Sequence, residues 1–401
     1  MSHKATDLIH HPYVPPAGFA APQPGVYKAS TVIFPSVAAL RARDWRHKTG
    51  YTYGLHGTPT SFQLEERIAT LEGGKHCLLV PSGLASISCV NLALLRTGDE
   101  VLLPDNVYGP SRTLAENELA HWGITHQRYD PMDPADLERK LSARTRLVWL
   151  EAPGSVSMEF PPLAELARIC RQRGITSALD NTWGAGLAFN GFDLAAGKQL
   201  VANSGADIVV QALTKYPSGG GDVLMGSVVT RDDKLHEQLK LSHMRLGWGV
   251  AGNDVELVLR SLPSLLARYR AHDASARQLA QWLQGRPEIA QVLHPALPTS
   301  PGHEHWRTLC GDDGLAAGLF SIVLHERHPT QRVDAFCEAL ALFKLGYSWG
   351  GPVSLVVPYD MPSMRQQGRW PHKGTLVRFS IGLEEPEALQ ADLAQALHVL
   401  G

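Results

Sequence analysis

The stretch ADIVVQALTKYPSGGGD runs from an apolar segment straight into Thr214, Lys215 and a glycine-rich turn. A lysine held there among apolar neighbours loses proton affinity through burial, and its neutral amine can form a Schiff base with an aldehyde. Upstream, Asp180 closes the run ITSALD and is followed by Asn181 and Thr182. An isolated Asp-Asn pair reads as a turn, but beside such a lysine it reads as a carboxylate for a pyridinium nitrogen. Pyridoxal phosphate needs both groups: a lysine for its aldehyde and an acid that keeps its ring nitrogen protonated. Its phosphate needs an anion site, and VPSGLAS supplies one where a strand meets a helix. Backbone N–H groups and the helix dipole favour an anion at such a junction. GxxxxGK[ST] does not occur, and the one GxGxxG, Gly247 to Gly252, follows the charged helical pattern DKLHEQLKLSHMRL rather than a strand, so the P-loop and dinucleotide readings lose their support. In TLVRFSIG, Arg378 shares a face with Leu376 and Ser380, opposite Val377, Phe379 and Ile381. An arginine pointing away from its own core is suited to clamp a carboxylate in two-point fashion.

These residues need elements to carry them. Short apolar runs alternate with helical patterns: HCLLVP before GLASISCVNLALL, DEVLLP before Arg112 to His121, and TRLVWLEAP before LAELARICRQRG. That alternation predicts an α/β fold with a mostly parallel sheet covered on both faces, its ligands at the carboxyl ends of the strands. A globular domain begins at TSFQLEERIATLEGG, where Thr60 and Gln63 have capping-box spacing and Gly73 and Gly74 stop the helix. Residues 1–59, rich in Pro, Gly, His and Tyr, read as an arm, 60–255 as the large domain and 256–401 as a smaller α+β domain. The latter carries the runs GLFSIVLHE, VSLVVP and TLVRFSIGL and a closing helix that opens on Pro386.

With 401 residues, 44% hydrophobic and 19% charged, the chain is long enough for two or three domains. A net charge of −2 gives no basic field for nucleic acid or anionic lipid, so a small-molecule partner is expected. No segment reads as a signal peptide or membrane span, and the five scattered cysteines form no CxxC pair; a cytoplasmic protein with reduced thiols is expected. His303 and His305 lack a third ligand nearby, and no metal is expected; Trp183, Trp248, Trp282 and Trp306 read as packing residues.

Together the segments YGLHGT, LEGG, NVYGPS, LEAPGSVSME, LDNTW, TKY, YSWGG and GTLVRFSIGLEE resemble the Cys/Met metabolism family of fold-type I pyridoxal phosphate enzymes. The likeness runs along essentially the whole chain, and EAPGSVSME looks like the β-lyase form rather than the Asn-Pro loop typical of γ-lyases and γ-synthases. The resemblance implies an aspartate aminotransferase-like fold and β-elimination from L-cystathionine, giving L-homocysteine, pyruvate and ammonia. It implies Lys215 as the cofactor-holding lysine and base, Asp180 at the ring nitrogen, and Tyr108 stacked on the ring near the substrate amine. Gly83, Leu84 and Thr214 would hold the phosphate, with Tyr53 reaching it from a neighbouring subunit in a homotetramer built from shared-site dimers. Arg378, with Ser348 and Trp349, would take the substrate carboxylate.

The chain departs from the family where Leu55 replaces an arginine that pairs with the phosphate in many relatives, and where GGGD replaces a His-Ser-Asp pattern. His56 is the candidate to supply the missing charge. A methionine γ-lyase or cysteine desulfhydrase would use the same core, and a cofactor-binding regulatory protein with little turnover is the reading from another class.

Overall fold

The computed structural model describes residues 4–48, 50–196, 199–200, 203–366 and 370–401. Seven strands form the larger sheet: His76–Val80 (β1), Glu100–Pro104 (β2), Thr125–Tyr129 (β3), Thr145–Glu151 (β4), Thr176–Asp180 (β5), Ile208–Ala212 (β6) and Gly226–Thr230 (β7). Their order is β1-β7-β6-β5-β4-β2-β3. Strands β2 to β6 pair in parallel, and β7 runs antiparallel to both β6 and β1. Side chains alternate between the faces. Leu79, Leu102, Val148, Leu150, Leu179 and Val209 enter one core, while Leu78, Val101, Leu103, Leu147, Trp149 and Val210 enter another. Because both faces are covered, these strands read as nearly continuous apolar runs, as a parallel sheet requires.

A second sheet contains Ile289–Leu293 (β8), Leu319–Leu324 (β9), Lys344–Leu345 (β10), Leu355–Tyr359 (β11) and Leu376–Ser380 (β12), ordered β8-β9-β12-β11-β10. Phe320, Ile322, Val377 and Phe379 pack with Leu389, Leu393 and Leu397 of the closing helix Pro386–Leu397. Their alternates Leu319, Val323 and Leu376 join the core of the larger sheet. Arg378 follows the second set, so the pleat itself turns it toward the larger sheet.

Four helices open the chain: Lys4–Ile9 (α1), Val37–Arg41 (α2), Pro59–Glu72 (α3) and Gly83–Leu94 (α4). The cap of α3 lies two residues before the expected Thr60–Gln63 box. Thr58 and Ser61 form the box, and Pro59 occupies the first turn. The expected residues are engaged elsewhere: Thr60 Oγ1 accepts from Tyr27 N at 2.7 Å, and Gln63 Nε2 donates to Pro12 O at 3.2 Å. Gly73 ends α3 at φ +80°, a left-handed conformation that glycine adopts without a steric cost. The start of the arm is helical rather than irregular. Leu8 of α1 is buried in the main core, and Lys4 Nζ donates to the carbonyls of Leu71 and Gly186. Among the described residues, no helix is long and apolar enough to cross a membrane.

Candidate active site

The carboxyl ends of β2, β4, β5 and β6 open into one pocket of about 850 Å3. Gly83, Leu84, Tyr108, Asp180, Thr214, Lys215 and Trp349 all line it, seven of the residues singled out from the sequence. Its position is the one that an open parallel sheet offers a ligand.

Lys215 leaves β6 in a turn closed by Lys215 N to Ala212 O at 3.1 Å and Ser218 Oγ to Thr214 O at 2.8 Å. Its Nζ donates to Ser348 Oγ at 2.8 Å and lies 4.9 Å from the centre of the Trp349 ring. Burial, reinforced by the Arg378 charge and opposed by Asp180, lowers its pKa to about 8. The amine therefore gives up its proton near neutrality, as a nucleophile or base requires.

Asp180 ends β5 and is half-buried at the wall of the pocket. Thr182 donates to its Oδ1 twice, from Oγ1 at 2.6 Å and from N at 3.0 Å, while Thr182 Oγ1 accepts from Ala212 N at 2.9 Å. Burial raises the Asp180 pKa against those bonds and the Lys215 charge. Beside it in register on β4 stands Glu151, whose pKa is pushed well up by burial and then by Asp180. Glu151 Oε2 accepts from Tyr108 N at 2.9 Å and so fixes the loop that presents the Tyr108 ring. Burial, Asp180 and Glu151 hold the Tyr108 phenol neutral by raising its pKa.

Ser82 caps α4 by accepting from Ala85 N at 3.0 Å, leaving the N–H groups of Gly83 and Leu84 at the helix start without intrahelical acceptors. A Cβ on Gly83 would meet Ala212 Cβ at 2.5 Å, so glycine is what lets this helix end approach β6. The Thr214 hydroxyl lies nearby but is bonded to Met225, donating to its O at 3.2 Å and accepting from its N at 3.0 Å.

The Arg378 guanidinium is buried between rings, 5.4 Å from the centre of Trp349 and 5.2 Å from that of Tyr359, with Nη1 donating to Ser155 O at 3.4 Å. No carboxylate pairs with it among the described residues. Ser348 holds φ at 130°, an uncommon value for a residue with a side chain, and it is this turn that aims its hydroxyl at Lys215.

Tyr53 is not brought into this pocket. It pairs with Thr31 in the arm and stays 47% exposed. His56 also lies outside it, with Nδ1 and Thr52 Oγ1 2.8 Å apart and Lys240 Nζ on its carbonyl at 2.9 Å. Burial and the charges of Lys240 and Arg43 lower the His56 pKa, so at pH 7 it is neutral and does not replace an arginine's charge. Sequence reasoning missed Thr182, Glu151 and Tyr359. The DNT spacing, with a hydroxyl two residues after the acid, was a signal for Thr182, but no local pattern marks Tyr359.

These residues fit pyridoxal phosphate: an amine of low proton affinity, a half-buried acid in need of a cationic partner, a tyrosine ring, and free N–H groups at a helix start. The family model described as "Cys/Met metabolism PLP-dependent enzyme" matches residues 5–398. A "Cystathionine beta-lyase" of Bordetella avium is 38% identical over 97% of this chain and 96% of its own length. An "L-alanine/L-glutamate racemase" of Wolbachia pipientis is 32% identical over 93% of this chain and 92% of its own length. The crystal structure of metB from Corynebacterium glutamicum superposes with a TM-score of 0.85 at 27% identity, covering 100% of this chain and 99% of that one.

Proposed function

The chain belongs to the Cys/Met metabolism PLP-dependent enzymes, and from that premise we propose that it is a cystathionine β-lyase acting on L-cystathionine. One observation carries the choice of activity. The loop Ala152 to Ser155, within the EAPGSVSME segment that resembles the β-lyase form, lines the pocket, and Ser155 O meets the Arg378 guanidinium. A Cβ on Gly154 would come 2.2 Å from Asn106 Nδ2, so this path of the loop depends on glycine. Similarity to the Bordetella avium enzyme over nearly the full length supports the same reading.

When bound, pyridoxal phosphate supplies an aldehyde for the substrate amine and a ring that accepts the electron pair from Cα. Lys215 and Asp180 would hold it at its aldehyde and ring nitrogen, and Gly83 and Leu84 would take the phosphate at the start of α4, assisted by Thr214. Arg378 binds the α-carboxylate of the substrate through its fork, and Ser348 and Trp349 fix the near side of that site. Lys215 Nζ would remove the Cα proton and return a proton to the leaving sulfur. Tyr108, kept as a neutral phenol, lies close to the substrate amine and assists these transfers. Asp180 would favour a protonated ring nitrogen. With one water consumed, L-cystathionine yields L-homocysteine, pyruvate and ammonia.

Lys215→Ala is expected to abolish both the visible absorbance of lysine-bound cofactor and pyruvate formation from L-cystathionine. Pyruvate at near the parental rate in that variant would refute the assignment.

A further inference from the structure

We propose that Tyr359 is a positioning residue for substrate recognition: its ring holds the Arg378 guanidinium in place to receive the α-carboxylate of the substrate. The inference rests on the reading of Arg378 as the carboxylate clamp and names what keeps that clamp set. An arginine side chain turns about several single bonds, so a clamp works only if its surroundings fix it. For Arg365 two acids do so, Asp105 and Glu159, each at 2.8 Å. Arg378 is 5% exposed, and among the described residues no carboxylate pairs with it. Such an acid would compete with the substrate for the guanidinium. Neutral groups surround it instead: Ser155 O accepts from Nη1 at 3.4 Å, and the ring centres of Trp349 and Tyr359 lie 5.4 and 5.2 Å away. That hydrogen bond is long, which shifts the restraint to the rings. An aromatic ring attracts a cation through its π system, more strongly away from water, and leaves the N–H groups free to meet a carboxylate.

Strand pairing explains why Tyr359 is the residue that arrives there. β12 lies between β9 and β11, and Arg378 stands opposite Ser321 on β9 and Val357 on β11. Tyr359, two residues beyond Val357, shares its face and lies diagonal to Arg378, a separation that two long side chains span. On the other side Ser321 Oγ donates to Val156 O at 2.7 Å and anchors the loop that carries the Ser155 carbonyl.

Trp349 serves two cations, since Lys215 Nζ lies 4.9 Å from its ring centre, and it lines the cofactor pocket. Tyr359 is outside that lining; its ring meets Arg378 and, edge to face, the Tyr347 ring, with centres 6.3 Å apart. Its hydroxyl makes no hydrogen bond to the described residues, so the ring is the part that acts. A change at Tyr359 therefore reports on the clamp without removing a contact to Lys215 or to the pocket wall.

The test uses the holoenzyme with saturating cofactor, whose visible absorbance follows the binding of glycine and, separately, of methylamine, which lacks the carboxylate. Tyr359→Leu should weaken glycine about tenfold and leave methylamine within about twofold of the parent. KM for L-cystathionine should rise by a similar factor while kcat stays within about threefold. Tyr359→Phe, which keeps the ring, should bind both amines within about twofold of the parent. Arg378→Leu is the control and should bind glycine no more tightly than methylamine. If Arg378→Leu keeps the parental preference for glycine, the clamp reading fails and this proposal with it. If Arg378→Leu loses that preference and Tyr359→Leu keeps it, the clamp stands and the role of Tyr359 is overturned. Equal weakening of both amines by Tyr359→Leu, or a loss in Tyr359→Phe as large as in Tyr359→Leu, would overturn it as well. Should Tyr359→Leu fail to fold, Tyr359→Gln takes its place with the same outcomes.

Discussion

At the scale of single residues, the chemistry depends on which buried groups carry charge. Lys215 and Asp180 face one pocket; burial lowers the proton affinity of Lys215, as its proposed role demands, and raises that of Asp180, a cost that a cationic ring nitrogen beside it would offset. Behind them lies Glu72, at the end of α3, fully buried and accepting from Asn181 Nδ2 at 2.8 Å and Gln211 Nε2 at 2.6 Å. Burial, outweighing those bonds and the Lys4 charge, raises its pKa from 4.5 to about 7. The folded state thus holds this proton more tightly than the unfolded state. Stability from this group is present at pH values below the unfolded pKa and is lost as pH rises toward 7, by on the order of 3 kcal/mol at most. Glu72→Gln is expected to flatten that part of the stability profile, which urea titrations at pH 5 and pH 8 would measure; an unchanged slope between them would contradict it.

At the scale of elements, strands and their exits were the most legible part of the sequence. Lys215 and Asp180 are each preceded by a largely apolar run, and such runs have few alternatives to buried parallel strands. Arg378 was legible through period-two alternation alone. What was not legible came from contacts distant in sequence. The Thr58–Ser61 cap replaced Thr60–Gln63 because Tyr27 and Pro12 of the arm engage the latter pair, and no window around residue 60 contains them. Tyr359 meets Arg378 only because β11 and β12 pair antiparallel. The ion network of Arg365 with Asp105 and Glu159 is equally nonlocal, and it ties the segment after β11 to the loop that leads to Tyr108. Arg365→Met should destabilise the protein by about 3 kcal/mol, because Glu159 is left without its cation and Asp105 keeps only Arg128, at 3.4 Å. Chemical denaturation would test this, and adding Asp105→Asn to Arg365→Met should recover part of the loss.

At the scale of the whole molecule, one chain presents a nearly complete site and leaves Tyr53 outside it, exposed on the arm. The proposed remedy is a shared-site dimer in which each arm reaches the neighbour's phosphate. Mixing inactive Lys215→Ala chains with Tyr53→Ala chains should then restore activity, since a mixed dimer has one site with both residues intact; random reassortment limits the recovery to roughly a quarter of the sites. Absence of recovery, with mixed dimers demonstrably formed, would place the arm's role elsewhere. The same core would serve β- and γ-elimination alike, so fold alone does not decide between them. The direct measurement is incubation of the purified holoenzyme with L-cystathionine and, separately, L-methionine, quantifying pyruvate and 2-oxobutyrate in each. Pyruvate from cystathionine with little 2-oxobutyrate from either substrate is the expected result; 2-oxobutyrate as the main product would contradict the β-lyase assignment.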